Sequence, residues 1–264
     1  MSTGQKVRLT DDEIKQFEEL GYVKGFRIYG DAEVIELQAQ YAKMSTMVPA
    51  DTHISRVNWW HKRNNFIYER VCTHPRILDY VESILGPSFY LWGSHYFVKN
   101  PGDGSVVPWH QDAKYWPLTP MQAVTVFVAF GDCDAENACM RVIPGTHRED
   151  SLKSHDDASD QSNYILGQEI PAAEIDESQA HDIDLKAGEV SLHTDALIHG
   201  SGPNLSDRLR IGFTMRYSPT EVKCDLDVWP TFAAFLVRGV DEYQHNPPGV
   251  VPTEFGAPDC MRPA

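Results

Sequence analysis

The sequence predicts a mainly β domain, a sandwich or jelly roll preceded by helices. Three observations carry this expectation. Helical periodicity is confined to the first third of the chain. Short β-branched and aromatic runs follow it, as in Val124-Thr125-Val126-Phe127-Val128-Ala129-Phe130. Glycine and proline turn signals separate those runs, at Pro101-Gly102-Asp103-Gly104, Pro144-Gly145, Ala187-Gly188 and Gly202-Pro203-Asn204. Several short strands punctuated in this way are the pattern of a sandwich or jelly roll.

The elements follow in order. Thr10-Asp11-Asp12-Glu13 has capping-box spacing, and Ile14, Phe17 and Leu20 recur at helical intervals before Gly21. A second helix is expected from Asp31, with Val34, Leu37, Tyr41 and Met44 on one face. A third should run from His74-Pro75 to Leu85, where Gly86-Pro87 stops it. Strands are expected over Phe89 to Val98, Val124 to Phe130, Glu189 to Ile198 and Ile211 to Tyr217. The expected division is therefore a helical N-terminal layer (1–87), a β core (88–220) and a C-terminal extension (221–264), all within one domain. Within the core, residues 148–180 are polar and acidic without periodicity, which fits a lid over a barrel mouth or a solvated loop. The stretch from Asn246 carries five prolines and should be irregular.

Composition narrows the function. A 264-residue chain that is 42% hydrophobic and 11% aromatic can bury a substantial core. Its net charge of −15 would repel a phosphate backbone, so nucleic acid is not an expected partner. Five cysteines (Cys72, Cys133, Cys139, Cys224 and Cys260) without C-x-x-C spacing point to free thiols rather than disulfides or a thiolate metal site. No apolar h-region opens the chain, and no apolar run approaches the ~18 residues of a membrane span. A cytoplasmic protein acting on a small molecule is expected, and no pattern fixes an oligomeric state.

The chemistry lies in Val107-Pro108-Trp109-His110-Gln111-Asp112. On an extended chain His110 and Asp112 share one face, about 6–7 Å apart at the backbone, with Gln111 turned away. A third ligand must come from elsewhere. One route is the local His193-Thr194-Asp195 with His199, a second H-x-D. On a continuous strand His199 would lie roughly 13 Å beyond Asp195, and six helical residues advance about 600°, so one ion could not reach all three without a sharp reversal. The long-range route joins His110 and Asp112 to His199. Two imidazoles and one carboxylate suit iron(II) and leave positions open for a chelating cosubstrate and oxygen. Arg210 follows His199 by eleven residues, across the Gly202-Pro203-Asn204 turn. Its planar fork matches the distal carboxylate of 2-oxoglutarate, whereas Arg208 lies nearer the turn and should be solvated.

The segments WHQDAKYWPL, MRVIPGTH and HGSGPNLSDRLRIGF resemble the phytanoyl-CoA dioxygenase family of iron/2-oxoglutarate oxygenases, over roughly residues 88–217. The resemblance implies a double-stranded β-helix with iron held by His110, Asp112 and His199. It also implies that Arg210 and Ser201 bind 2-oxoglutarate. Halogenating relatives carry a small residue in place of the aspartate, so an intact Asp112 implies hydroxylation, with succinate and carbon dioxide as co-products.

Tyr115 and Trp116 follow the H-x-D and are candidate substrate contacts, Trp116 by resemblance to small-molecule members. Thr214 should face inward with Arg210 by period two. Residues 56–64 are dense in aromatic and cationic side chains: Arg56 or Arg63 could pair with an anion, and Trp59 or Trp60 could lie under an amine. Asn58, Trp60 and Arg56 are therefore candidates as well, although the tryptophans could instead seal the helical layer against the barrel. The expected substrate is a small polar or zwitterionic metabolite. The alternatives are an acyl-CoA thioester, a cupin-like zinc or manganese enzyme without 2-oxoglutarate, and a non-catalytic binding module.

Overall fold

The structure is a computed structural model that describes residues 7–102, 104–158 and 165–257. Asp103 of the predicted turn, residues 159–164 of the acidic insertion, Cys260, the first six residues and the end of the proline-containing tail lie outside the described residues.

The helices form where capping and periodicity place them. In α1 (Asp11–Leu20) the Glu13 backbone N–H donates to Thr10 Oγ1 (3.3 Å), and the Thr10 N–H donates to Glu13 Oε2 (2.7 Å). Gly21 closes the helix at φ 84°, a conformation that favours glycine. In α2 (Asp31–Ser45) Val34, Leu37 and Met44 are buried, while Tyr41 is half-buried. α3 (Pro75–Leu85) starts with proline in its first turn and stops at Gly86. Between α2 and α3 the chain makes short 3₁₀ turns at Ile54–Arg56 and Trp60–Lys62 and a π-helical turn at Ile67–Cys72.

Fourteen strands follow the chain among the described residues. The first half comprises β1 (Tyr22–Arg27), β2 (Phe89–Lys99), β3 (Val107–His110), β4 (Leu118–Thr119), β5 (Val124–Ala129), β6 (Met140–Val142) and β7 (Asp156–Asp157). The second comprises β8 (Gln168–Glu169), β9 (His181–Ile183), β10 (Glu189–Thr194), β11 (His199–Ser201), β12 (Arg210–Pro219), β13 (Lys223–Cys224) and β14 (Phe235–Arg238). They build a six-stranded sheet ordered β1-β10-β5-β12-β2-β14 and a four-stranded sheet ordered β3-β11-β6-β9. These sheets form the jelly roll, with two small pairs, β13-β4 and β7-β8, beside it.

Alternation along the strands assigns the two faces of the large sheet. Val126 and Val128 of β5, with Ile211, Phe213 and Met215 of β12, pack against Val34, Leu37, Ile77 and Val81 of the helices. The intervening residues Thr125, Phe127, Arg210, Gly212, Thr214 and Arg216 point into the barrel, as period two requires. A sheet covered on both faces explains why β5 reads as an unbroken apolar run. Gly212 makes room inside the barrel: a Cβ there would lie 2.2 Å from Phe127 Cζ.

Two expectations need correction. The first 87 residues are not purely helical, because β1 forms an edge of the large sheet, paired antiparallel with β10. Its pattern is weak because Gly25 adopts φ 89° where the register shifts between Lys24 and Phe26. The C-terminal extension also enters the barrel. β14 pairs with β2, and Arg238 binds Asp79 (2.9 Å) and Glu82 of α3.

Candidate active site

The strand pair β3–β11 positions the centre, since His199 lies opposite His110 in its antiparallel register. Both residues are buried, and their ring centroids are 4.1 Å apart. His110 Nδ1 lies 2.9 Å from Pro108 O, and His199 Nδ1 lies 2.9 Å from Leu197 O. A carbonyl only accepts, so each Nδ1 carries the proton and each Nε2 lone pair is free for a metal. β3 ends at His110, Gln111 stays extended (φ −117°, ψ 122°), and Asp112 opens a 3₁₀ turn running to Tyr115. The alternation expected of a strand therefore survives across Gln111, whose side chain turns away to Ala196 O (2.7 Å). Asp112 Oδ1 is 3.5 Å from His110 Nε2, and Oδ2 is 4.0 Å from His199 Nε2.

Burial would push the Asp112 carboxyl up. The neighbouring His110, the Arg216 guanidinium and His199 outweigh it and hold the group far below the usual carboxylate range. Burial likewise takes His199 well below its ordinary value, with His110 adding to the effect and Asp112 opposing it. A neutral imidazole and an ionised carboxylate are the ligand forms a divalent cation needs. The ligand atoms of His110, Asp112 and His199 all lie within 4.8 Å of one another, so one ion can bridge them. These donors fit iron(II), and the triad can hold it.

The competing local motif does not form a site. The chain reverses after β10 and crosses to the facing sheet, so His193 reaches the same cavity, its ring centroid 4.7 Å from that of His199. Asp195 instead accepts a hydrogen bond from Thr194 Oγ1 (3.1 Å).

The centre opens into a cavity of ≈ 390 Å³ lined by Phe97, Phe127, Met140, Ser201, Arg210 and Thr214, among others. Arg210 is buried, and its guanidinium donates to Ala138 O. Ala138 takes φ 63°, unusual for a residue with a Cβ, in the turn that presents this carbonyl. The Ser201 hydroxyl is buried with no hydrogen-bond partner among the described residues. Arg208 lies outside, paired with Asp134 (2.6 Å) and Glu136 (3.1 Å).

The other candidates divide. Thr214 faces the cavity and donates to His95 O (3.2 Å). Tyr115 sits edge-on to His110, and its hydroxyl donates to Gln168 O (2.9 Å). Trp116 is half-buried, edge-on to Trp92, with the Arg216 guanidinium over its ring. Asn58 forms a backbone bridge with His95, the β2 residue opposite Thr214. Trp60 is fully buried against Tyr96 in the helical core, and Arg56 is exposed; neither lines the cavity. The sealing role therefore holds for Trp60. Lys62 rather than a ligand lies over Trp59, 4.7 Å from its ring centroid.

Three residues that sequence reasoning missed belong here. Arg216 is two positions past Thr214 on the same face of β12, so the period that found Thr214 reaches it. Thr125 donates to Asp112 Oδ2 (3.4 Å). Lys99 is buried opposite Arg210 and donates to the Ser105 (2.8 Å), Ser201 (3.3 Å) and Gly202 carbonyls. Only the β2–β12 register reveals it. The cysteines Cys72, Cys133, Cys139 and Cys224 are free and buried, and none joins the metal cluster.

A jelly roll with this triad at its centre is the architecture of a 2-oxoglutarate-dependent non-haem iron dioxygenase, and comparison with known proteins agrees. Residues 17–212 match the family profile described as phytanoyl-CoA dioxygenase, so the chain belongs to that family. It is 28% identical over 240 residues to the peroxisomal phytanoyl-CoA dioxygenase of Mus musculus, covering 89% of this chain and 69% of that one. It spans only 52% and 46% of the bovine and rat counterparts. Among solved structures, the non-haem monooxygenase ThoJ superposes with a TM-score of 0.77 at 30% identity, over 92% of this chain and 90% of that one. CytC3 with Fe(II) and alpha-ketoglutarate gives 0.66 at 26% identity, over 92% and 94%. Among the described residues no helix is long and apolar enough to cross a membrane.

Proposed function

We propose that the enzyme hydroxylates a C–H bond of a small polar or zwitterionic metabolite, with Arg210 and Ser201 receiving the distal carboxylate of 2-oxoglutarate. The observation that carries this reading is one cavity of ≈ 390 Å³ that contains the triad, the buried Arg210 and the unpartnered Ser201 hydroxyl. The net charge of −15 disfavours a polyanionic thioester, which favours a small molecule.

Iron(II), when bound, supplies the oxidising chemistry that couples decarboxylation of 2-oxoglutarate to substrate hydroxylation, giving succinate and carbon dioxide. The protein supplies position. His110 and His199 present neutral Nε2 atoms, Asp112 stays ionised, and Arg210 offers a planar pair of donors to a carboxylate. Thr214 lines the cavity, and Tyr115, Trp116 and Asn58 are assigned with it to substrate contact. The described parts of residues 148–180 bond directly to the ligand loop: Gln111 N–H donates to His155 Nε2 (3.0 Å), and Ile170 N–H donates to Trp109 O (2.8 Å). We assign this segment as the lid that keeps water from the centre.

The name of the mouse relative supports a second reading, an acyl-CoA substrate. Succinate release from 2-oxoglutarate with iron(II), measured across small metabolites and acyl-CoA thioesters, separates the two. Stimulation by a small metabolite is expected, and stimulation by thioesters alone would overturn the first reading.

A further inference from the structure

The cavity holds a second cation besides Arg210. Arg210 and Arg216 lie on the inner face of β12, six residues and about 20 Å of strand apart. Arg210 belongs to the end closed by the Ala138 turn. Arg216 belongs to the end where Trp92 and Trp116 meet, 4.6 Å apart.

Arg216 is 9% exposed. Its hydrogen bonding in the protein comes to Nη1 donating to Thr214 Oγ1 (3.0 Å), and its carbon Cζ lies 5.4 Å from the Trp116 ring centroid. Nε has no partner, and no carboxylate oxygen among the described residues lies within 4.0 Å of the guanidinium. The Asp112 charge is near enough to act on Arg216, but that carboxylate is committed to the metal. Iron(II), Asp112, Arg210 and a dianionic 2-oxoglutarate sum to zero charge, and the buried Lys99 adds only positive charge, so these groups leave no negative charge over for Arg216. A buried guanidinium without a counter-ion is costly, and a site that retains one gains it back on binding an anion.

The fold also makes room for this side chain. Gly93 on β2 faces Arg216, and a Cβ there would lie 2.9 Å from Arg216 Cδ. Nearby, His193 is buried with both ring nitrogens unpartnered in the same cavity. Arg216 Nε and the two His193 nitrogens are thus unsatisfied polar atoms of the same cavity, as is the Ser201 hydroxyl.

We propose that Arg216 anchors an oxyanion, carboxylate or phosphonate, on the molecule that is oxidised, and so fixes which end of that molecule faces the Trp116 side of the cavity. The proposal rests on the small-metabolite reading above and specifies it. The guanidinium forks onto the anion through Nε and a terminal nitrogen, while Thr214 and the Trp116 face fix its plane. The carbon to be oxidised then lies between that anchor and the triad.

Trp116 provides a binding readout that needs no turnover. Tryptophan fluorescence of the iron(II)-loaded, 2-oxoglutarate-saturated protein is titrated under nitrogen with butyrate, ethylphosphonate and the neutral butyramide. Butyrate or ethylphosphonate should bind at least tenfold more tightly than butyramide, and the stronger of the two identifies the head group. Arg216→Gln should abolish the preference, and Arg216→Lys should retain part of it. Equal affinity for acid and amide in the unaltered protein would overturn the anchor without any variant. So would a preference that survives in Arg216→Gln, even with weaker iron retention, because Arg216 would then serve Asp112 alone. A neutral or cationic metabolite that drives coupled succinate release would remove the anchor and leave the small-metabolite reading standing. Response to acyl-CoA thioesters alone would remove that reading.

Discussion

His110 and His199 face each other across the β3–β11 ladder, and each donates its Nδ1–H to the carbonyl two residues earlier in the chain. The two ligands are thus oriented by the same local device, a backbone carbonyl that fixes the tautomer and aims Nε2 at a shared point. Nothing distant is needed to orient the rings; what is distant is the pairing that brings them together.

This arrangement makes the triad intolerant of ligand loss. Losing a partner behind a metal ligand typically costs about 10–100-fold in affinity or activity, and losing the ligand should cost more. His199→Ala should therefore lose bound iron and lower succinate formation by more than about 100-fold, with its circular dichroism spectrum unchanged. Metal analysis beside the succinate assay checks this. Full iron content with full turnover would remove His199 from the site.

Arg210 should act on the cosubstrate. Hydrogen bonds to a charged group are worth about 1.5–3 kcal/mol, or roughly 10–100-fold. Arg210→Met should raise the KM for 2-oxoglutarate by about that factor, and Arg210→Lys by less, because lysine keeps the charge and loses the fork. Initial rates against 2-oxoglutarate concentration provide the measurement. An unchanged KM in Arg210→Met would assign the carboxylate to another cation, with Lys99 the nearest in register.

Trp60 and Asn58 come from one short segment and should behave oppositely. Trp60 is enclosed beside Tyr96, so Trp60→Phe should cost about 1–3 kcal/mol, roughly 2–10 °C in Tm for a chain of this size. Its substrate KM should not move. Asn58 bridges His95, the partner of cavity-lining Thr214, so Asn58→Ala should raise the substrate KM with little change in Tm. Thermal melts paired with substrate kinetics decide between them, and a KM effect in Trp60→Phe would return that residue to the substrate site.

The same segment shows where sequence reading stops. Its density of aromatic and cationic side chains was visible, but the directions of those side chains depend on a 3₁₀ turn and on Trp59 at φ 62°. Elements fixed by local chemistry were legible: the Thr10–Glu13 cap, the proline start of α3 and the covered strand β5. The H-x-D was legible because two-residue spacing works across an extended Gln111 whether or not a ladder continues. β1 was hidden by the irregularity at Gly25, and β14 by its proline-containing surroundings. Lys99 was invisible because its place opposite Arg210 exists only once β2 and β12 are paired. Arg216 was within reach of the alternation that identified Thr214, and only the structure shows that no carboxylate among the described residues pairs with it directly.

Asp195, left over from the local H-x-D, gives a prediction for stability against pH. It is 4% exposed, and burial pushes its carboxyl up to about 6, against relief from the Thr194 hydroxyl. The unfolded chain would ionise it near the ordinary value of about 4. Below pH ~4 the group is neutral in both states and adds nothing. Between pH ~4 and ~6 the unfolded chain gives up the proton while the folded protein keeps it, so unfolding releases a proton and stability falls as pH rises. Above pH ~6 both states are ionised and the folded state carries the full burial cost, on the order of 2–3 kcal/mol. Asp195→Asn keeps the acceptor for Thr194 and removes the charge. Chelator-treated Asp195→Asn should therefore be more stable than the unaltered protein by up to that amount at pH 7–8, and indistinguishable from it near pH 4. Urea unfolding across this range gives both curves. A difference that stays constant from pH 4 to pH 8 would show that the buried carboxyl does not titrate as its surroundings require.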